Sequence, residues 1–334
     1  MITWYSFEPT DSLFFKGATP MQAGVDHTAD SIFPPRPSTL EGALRTLVLR
    51  QHDIGPADYY QGNVDKDILD AIGRADEPAP FSVIGPLFRI NGRLLIPTPY
   101  TWYKANIPDN KKPFKVKIVT SFSLADAGTG KIVIITSAHE KTRWVYSEKS
   151  DIDSMGGLWM TTDLLCPGAD NIVDMYSLNA KWDDKKPLLF SPKDLFTDES
   201  HVGLALKETV RTARPHHLYA FTHYRLKPGV SLVFGCDREL PLREKGIFQL
   251  GGEKRFGAYK RLCDLNIQAG SSGLFMALGV VKAGMYTTPA LIATGKPVYA
   301  GGWDMRKGFH KEMSGYYPAG TVFNARIEPN LIEI

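Results

Sequence analysis

The sequence predicts an α+β protein with antiparallel sheets. An opening strand precedes a single well-marked helix, and the second half of the chain is rich in β-branched and aromatic residues between Gly and Pro. No glycine fingerprint for a dinucleotide or a triphosphate is present. These three observations favour antiparallel sheets over a doubly wound parallel sheet.

The first predicted elements are a strand and a helix. Residues Ile2–Phe7 predict the strand, which ends before Pro9. The spacing of Ser38 and Glu41 matches a capping box and predicts a helix that begins at Ser38. Its apolar stripe consists of Leu40, Ala43, Leu44, Leu47 and Val48.

The later elements are mostly strands. A short helix is predicted over Asp65–Arg74, and Asn91-Gly92 predicts a tight turn between two strands. Further strands are predicted at Val116–Phe122, Lys131–Thr136, His217–Leu226, Val230–Phe234 and Leu274–Val281. The stretch from Pro97 to Phe196 is irregular in pattern and is interpreted as an insertion.

Length and charge suggest two parts. A chain of 334 residues exceeds what one hydrophobic core usually supports, so we predict domains at 1–200 and 201–334. Residues 201–334 contain 18 Lys and Arg against 10 Asp and Glu, whereas residues 1–200 contain 21 against 26. The basic second half indicates a polyanionic partner or an acidic protein partner.

The composition also bears on location and redox chemistry. No apolar run is long enough to span a membrane, and the first residues lack a signal-peptide pattern, so we expect no membrane partner and a cytoplasmic protein. Cys166, Cys236 and Cys263 lack zinc or redox spacing and are predicted to be buried, reduced thiols. No cofactor is predicted.

A glycine-rich stretch is the first candidate binding site. Gly251 and Gly252 allow a sharp turn and close backbone approach, and Lys254 and Arg255 place cations beside the exposed amides. This arrangement suits contact with phosphates. The alternative is an ordinary hairpin turn with solvated charges.

A second candidate site surrounds the strand that begins at His217. Arg211 and Arg214 precede it, and Tyr219, Phe221, His223 and Arg225 alternate onto one face. Sheets of RRM-like modules use cationic and aromatic faces of this kind to stack bases and to neutralise phosphates. Core packing of the aromatic residues is the competing interpretation.

Catalytic and metal sites are not predicted. His27 could support metal-independent RNA cleavage, but it has no placed partner in the sequence. His216 and His217 point to opposite faces of a strand, and no third ligand is spaced to complete a metal site.

Several segments together resemble one protein family. In chain order they include Pro9-Thr10-Asp11-Ser12-Leu13-Phe14-Phe15, Phe33-Pro34-Pro35-Arg36-Pro37-Ser38-Thr39-Leu40-Glu41-Gly42-Ala43-Leu44-Arg45-Thr46, Val202-Gly203-Leu204-Ala205-Leu206, Leu250-Gly251-Gly252-Glu253-Lys254-Arg255, Gly302-Trp303-Asp304 and Tyr317-Pro318-Ala319-Gly320-Thr321-Val322. Their order and spacing resemble the RAMP subunit of the Cmr (type III-B CRISPR) effector complex that caps the 5′ end of the guide RNA.

The resemblance implies a fold, partners and a role. It implies two ferredoxin-like (RRM-like) domains with large insertions, which bind the 5′ handle of the crRNA without catalysis. It also implies docking to the large polymerase-like subunit and to a backbone RAMP subunit. On this basis we expect the RNA-binding residues to be Arg36, Arg45, Arg211, Arg214, Gly251, Gly252, Lys254 and Arg255. The alternatives are a guide-processing endoribonuclease, a protein-docking scaffold and the equivalent type III-A subunit.

Overall fold

The structure is a computed structural model of the chain, and it covers much but not all of the sequence. It describes residues 2–17, 28–29, 31–106, 115–123, 143–145, 151–165, 172–176, 186, 188–206, 212–263, 265–284, 290–304 and 309–334. Within these ranges only the backbone is described for residues 28–29, 106, 115, 122–123, 144, 172, 205–206, 213–219, 303–304 and 309–310.

The described residues form few helices and many strands. The helices are α1 (Pro37–Gln51), α2 (Pro56–Gln61), α3 (Lys66–Ile72) and α4 (Pro192–Leu195), with a 3-10 turn at Thr162–Leu165. The strands are β1 (Thr3–Pro9), β2 (Thr28–Ala29), β3 (Val83–Ile90), β4 (Arg93–Pro97), β5 (Trp102–Asn106), β6 (Lys115–Thr120), β7 (Phe122–Ser123), β8 (Arg143–Trp144), β9 (Ile152–Ser154), β10 (Trp159–Thr161), β11 (Ile172–Met175), β12 (Leu188–Phe190), β13 (Phe196–Leu206), β14 (Ala213–Leu226), β15 (Val230–Cys236), β16 (Lys245–Gln249), β17 (Phe256–Leu262), β18 (Phe275–Ala277), β19 (Val281–Lys282), β20 (Leu291–Ala293), β21 (Val298–Asp304), β22 (Phe309–Tyr317), β23 (Val322–Phe323) and β24 (Leu331–Glu333).

The chain divides into two compact units. Unit 1 comprises residues 1–91, 196–265 and 298–316, and unit 2 comprises residues 92–195, 266–297 and 317–334. Both units take residues from each of the predicted ranges, 1–200 and 201–334, and that boundary stays a prediction. The predicted α+β class with mostly antiparallel sheets is confirmed.

Unit 1 is built on an antiparallel sheet with the order β16-β17-β1-β15-β3. Tyr5, Phe7 and Phe234 are almost fully buried in it, together with Phe248 and Tyr259 of the β16–β17 hairpin. Of the predicted apolar stripe of α1, Leu40, Leu44, Leu47 and Val48 are buried, and Ala43 is half-buried. Gln51 at the end of α1 donates a hydrogen bond of 2.6 Å to the hydroxyl of Tyr259.

Unit 1 also contains a long β-ribbon. Strands β13 and β14 pair antiparallel from Phe196 opposite Leu226 to Leu206 opposite Ala213, and β2 pairs parallel with β14. Phe33 packs against Phe196 and Tyr224, with ring centroids 4.7 and 5.1 Å apart. This aromatic contact fixes the base of the ribbon. Strands β21 and β22 form a second antiparallel ribbon.

Unit 2 contains nearly all of the stretch from Pro97 to Phe196, in which the sequence pattern was irregular. Its main sheet has the order β4-β10-β12-β11-β6-β5-β9, in which β11 and β12 run parallel. A smaller sheet has the order β20-β23-β18-β24, and β7 pairs with β8. Ala277, Val281, Phe323 and Leu331 form a buried cluster at the smaller sheet.

The start of α1 differs from the prediction. The helix begins at Pro37 with Arg36 as its N-cap, and no side chain caps it. The capping box is wrong because Pro37 takes the first helical position, where its missing N–H costs nothing, and this places Ser38 inside the helix. Burial raises the pKa of the Glu41 carboxyl, so this group is packed in the protein and not placed at the cap.

The cysteine prediction is half right. Cys236 is buried, and burial raises the pKa of its thiol to about 11, so it is an inert core residue. Cys263 is exposed just beyond the end of β17, which contradicts the prediction. Cys166 lies outside the described residues, as does the predicted strand Lys131–Thr136.

Candidate nucleic-acid interface

The glycine-rich stretch forms the loop that joins β16 to β17. We call residues 250–255 the glycine loop. Its ends are closed by a 3.0 Å hydrogen bond from the Leu250 N–H to the Arg255 carbonyl oxygen. Gly251, Glu253 and Lys254 have φ angles of 87°, 56° and 52°, in the left-handed region. The loop is therefore a tight hairpin connection, as the alternative interpretation proposed.

The two glycines of the loop lie against the backbone of Phe14. The N–H of Gly252 donates a 2.8 Å hydrogen bond to the Phe14 carbonyl oxygen. A Cβ atom at Gly251 would lie 2.6 Å from the same oxygen. The amide of Gly252, predicted to contact a phosphate, is thus used within the protein. The glycines permit close approach of two chain segments, and they leave Lys254 exposed at the tip.

Residues 10–16 connect the glycine loop to β14. The N–H of Thr10 donates to the Phe256 carbonyl oxygen at 3.0 Å. Leu13 and Tyr224 exchange two backbone hydrogen bonds of 2.7 and 2.9 Å. This segment therefore brings together the two sites that the sequence singled out separately, the glycine loop and the polar end of β14.

An ion-pair network lies where these elements meet. We call Asp11, Glu199, Arg225, Glu253 and Arg255 the arginine cluster. The carboxylate of Asp11 accepts hydrogen bonds from Arg255 at 2.5 Å and from Arg225 at 2.7 Å. Arg225 also binds Glu199 through Nε and Nη2, the latter at 3.1 Å, and Arg255 lies 3.8 Å from Glu253. Asp11 thus links the loop to β14.

Two carboxylates of the cluster, those of Asp11 and Glu199, are held in their ionised form. The backbone N–H of Ser12 and then the Arg225 guanidinium hold the pKa of Asp11 below its usual range. Arg225 does the same to the pKa of Glu199. With Lys254, the cluster has three cations and three carboxylates. A phosphate that binds here must compete with carboxylates already present.

His223 is buried directly beneath the cluster. Its side chain is fully buried, its Nδ1 lies 3.1 Å from the Ser12 hydroxyl, and its ring stacks on His201 at 4.1 Å. Its Nε2 has no hydrogen-bond partner among the described residues, and a Glu253 oxygen lies 4.0 Å away. Burial, followed by the nearby His201, lowers the pKa of His223, so the ring is neutral at neutral pH.

The buried histidine predicts a pH dependence of stability. The unfolded chain takes up a proton on His223 near its ordinary pKa of about 6.5, whereas the folded chain does not. This contribution is fully present above pH about 6.5 and is lost as the pH falls below that value. We therefore expect the unfolding midpoint in urea to fall between pH 7 and 5, and to fall less in a His223→Gln variant.

The exposed His52 provides the control for that experiment. His52→Gln should leave the difference between pH 7 and pH 5 as it is in the wild-type chain. An equal pH dependence in the wild type and in His223→Gln would contradict the burial argument.

The predicted aromatic face of β14 is partly core. Phe221 packs against Phe14 with ring centroids 5.2 Å apart, and His223 is buried, whereas Arg225 at the end of the same face is exposed. Phe221 is half-buried, so the competing interpretation of core packing holds for it only in part. The side chain of Tyr219 lies outside the described residues.

Arg36 and Arg45 have structural partners in unit 1. The guanidinium of Arg36 donates to the Tyr316 hydroxyl at 3.0 Å and to the Gly301 carbonyl oxygen, and it lies 5.3 Å from the centre of the Tyr316 ring. Arg45 donates to the carbonyl oxygens of Glu77 at 2.9 Å and Arg74 at 3.4 Å. Both guanidinium groups hold chain segments in place.

The remaining candidate residues fall partly or wholly outside the described part of the chain. Arg211 and His27 lie outside it, and Arg214 lies in β14 with an undescribed side chain. Among the described residues no group of three or more His, Cys, Asp or Glu is placed to hold a metal ion. None of the described helices is long and apolar enough to cross a membrane.

The comparisons with known proteins decide the family. The family model described as CRISPR-associated protein (Cas_Cmr3) matches residues 5–292, which include the whole arginine cluster. The chain belongs to the Cas_Cmr3 family. The resemblance drawn from the sequence segments is thereby confirmed. No curated protein sequence matches this Cas_Cmr3 family member.

Two cryo-EM structures of the type III-B Cmr-beta complex contain similar chains. The first, bound to cognate target RNA and AMPPnP, aligns with a TM-score of 0.52 and 15% identity over 96% of this chain and 85% of that chain. The second, bound to cognate target RNA, aligns with a TM-score of 0.50 and 15% identity over 97% and 86%. At this identity the likeness of the Cas_Cmr3 family member to these chains shows a shared fold.

Sequence reasoning missed several residues of the site in this Cas_Cmr3 family member. Asp11 and Ser12 lie in a segment that carries the family resemblance, and this resemblance could have marked them as site residues. The carboxylate of Asp11 and the hydroxyl of Ser12 were not considered as parts of the site. Glu199 and His201 gave no signal, because only the pairing of β13 with β14 places them beside Arg225 and His223.

Proposed function

We propose that this protein is a crRNA-binding, non-catalytic subunit of a type III-B CRISPR effector complex and that it holds the 5′ handle of the guide. The observation that carries the proposal is the arginine cluster with Lys254 at its tip, in a chain of the Cas_Cmr3 family. Cations on a fixed backbone suit the recognition of a ribose-phosphate strand, because phosphate contacts position an RNA without reading its sequence.

The geometry of the cluster supports binding to a phosphate chain over binding to a single phosphate. Arg225 and Arg255 share Asp11, so a phosphate can replace that carboxylate between two guanidinium groups that are already positioned. Because the positive and negative charges of the cluster nearly balance, a single phosphate gains little binding free energy there. A strand that also reaches the exposed Lys254 gains more than one contact at once.

The proposed partners follow from the similar structures. The similar chains belong to Cmr-beta complexes bound to cognate target RNA, which supports an assembly that contains RNA and other subunits. We propose docking to the large polymerase-like subunit and to a neighbouring backbone RAMP subunit.

The strand order of unit 1 supports a ferredoxin-like domain. Strands β17-β1-β15-β3 are all antiparallel, and the chain passes from β1 through α1 to β3, on the far side of β15. In a β-α-β-β-α-β domain, β1, α1, β3 and β15 would be the first strand, the first helix, the second strand and the third strand, and β17 would be the last strand. We propose this relation for unit 1, and the second ferredoxin-like domain stays a prediction.

Assembly of the complex with and without this subunit tests the function. With the wild-type chain present, we expect the purified complex to retain guides whose 5′ handle is intact and protected from ribonuclease. A complex that lacks the chain should lose that protection at the handle and keep it elsewhere. Equal protection of the handle in both complexes would contradict the proposal.

Incubation of the purified chain with repeat RNA in chelator tests the absence of catalysis. We expect no discrete product. A discrete product that is lost in a His27→Ala variant would favour the guide-processing endoribonuclease instead.

A further inference from the structure

The edge strand β16 exposes an apolar side chain beside an unusual pair of lysines. Ile247 is 71% exposed, which is the highest value among the exposed large hydrophobic residues of the described chain. Lys245 lies on the same face two residues away, directly opposite Lys260 of β17. Like charges directly opposite each other destabilise a sheet, so these lysines weaken the hairpin that carries them.

The hydrogen bonds of the hairpin show which backbone groups are free. Glu244 accepts a bond from the N–H of Arg261 at 2.7 Å, and the N–H of Leu250 donates to Arg255 at 3.0 Å. Bonded and non-bonded pairs alternate in an antiparallel ladder. The even-numbered residues of β16 therefore face β17, and the N–H and C=O groups of Lys245, Ile247 and Gln249 point away from the sheet.

No described strand covers this edge, since β16 is the last strand in the sheet order.

The cations beside this edge lie close together. The pair of Lys245 and Lys260 is of the non-bonded type, in which the side chains lie closest. Arg50 of α1 adds a third cation near the edge through a 3.3 Å hydrogen bond to Gln249. Neither Lys245 nor Lys260 forms an ion pair with a described residue. A lysine on an edge strand commonly prevents a strand of another chain from pairing with it, whereas an exposed isoleucine beside the lysine favours such pairing.

We propose that the outer edge of β16 pairs with an extended, acidic segment of another protein subunit of the effector complex. The free backbone groups supply the ladder, an acidic side chain of the added strand lies beside Lys245 and Lys260, and an apolar side chain covers Ile247. The identification of the partner as a subunit rests on the proposed function. A polypeptide fits better than RNA, because the three residues offer alternating backbone donors and acceptors that complete a β-ladder, and the aliphatic side chain of Ile247 offers a base no aromatic ring to stack on.

Hydrogen exchange resolved to single residues tests the pairing. The full-length chain is measured alone and within the purified complex, before and after ribonuclease treatment. We expect the amides of Lys245, Ile247 and Gln249 to exchange at least about 10-fold more slowly in the complex, while those of Gly246 and Phe248, already bonded to β17, change little. Only strand addition produces this alternation.

Each other outcome has a distinct meaning. A chain that joins the complex without the alternating protection would overturn the strand pairing but leave the proposed function standing. Failure of the wild-type chain to join the complex at all would overturn the proposed function. Protection that disappears after ribonuclease treatment would identify RNA as the occupant and overturn the inference.

Charge reversal at the lysine pair provides a second measurement. Lys245→Glu combined with Lys260→Glu should weaken incorporation into the complex by about 10-fold, because the added strand then meets like charges. The matched control is Lys66→Glu combined with Arg74→Glu, which reverses two exposed cations near α3 in the same unit and changes the net charge equally. Equal incorporation of the double variant and the control would contradict an acidic partner.

Discussion

Replacement of Gly251 by alanine is expected to lower the free energy of unfolding by about 2–4 kcal/mol. Two causes act together. The φ of 87° is strained for any residue with a side chain, and the new Cβ would lie 2.6 Å from the Phe14 carbonyl oxygen. Because the obstacle is backbone, it cannot move aside as a flexible side chain could. The glycine loop must therefore shift away from residues 10–16.

Gly157 provides a matched control for this substitution. It has the same φ of 87°, but a Cβ atom added there would have no described atom within 4 Å. Gly157→Ala should cost only the backbone strain, about 1 kcal/mol. Thermal and denaturant unfolding of the two variants measure the difference. Equal destabilisation by both would show that close packing of the loop on Phe14 contributes nothing.

Replacement of Lys254 and Arg255 together by alanine is expected to weaken binding of the crRNA handle by about 10-fold or more at low salt. Each phosphate contact on a single strand contributes about 0.7 to the slope of log affinity against log salt, so two lost contacts reduce that slope by about 1.4. The loss of Arg255 also leaves one oxygen of Asp11 without its cation, which adds repulsion toward phosphate.

The control for the double variant removes one lysine and one arginine elsewhere in unit 1. Lys66 and Arg74 are both exposed near α3. Lys66→Ala with Arg74→Ala changes the net charge equally and should leave the slope at the wild-type value. If both double variants changed affinity and slope by the same amount, only the total charge would matter and the assigned site would be wrong.

Local patterns predicted the elements that local physics determines. The apolar stripe of α1, the buried residues Ile68 and Ile72 of α3 and the left-handed turn at Asn91-Gly92 all follow from spacing within a few residues. Helix α2 was missed because six residues that begin at Pro56 are too short to show a period. The predictions at Val116–Phe122 and Leu274–Val281 found β6 and β18 of unit 2, but other strands of that unit were missed because many are only two to four residues long, too short for alternation to be recognised.

The candidate site could be predicted only in pieces. The glycine loop and the end of β14 each carried a signal of their own, but their union depends on contacts between residues far apart in the chain. Arg225 and Arg255 bind Asp11 from 214 and 244 residues away. The predicted free amide of Gly252 is wrong for the same reason, because its acceptor, the Phe14 carbonyl oxygen, lies in a distant segment.

Photochemical crosslinking of the guide in the assembled complex tests the central claim most directly. Guides with a photoreactive nucleotide at successive positions of the 5′ handle are bound, and the crosslinked peptides of this subunit are identified. The account predicts that handle positions crosslink to the glycine loop, residues 250–255, and to the end of β14 near Arg225. Crosslinks from the handle that fall on other subunits, with none in either segment, would contradict it.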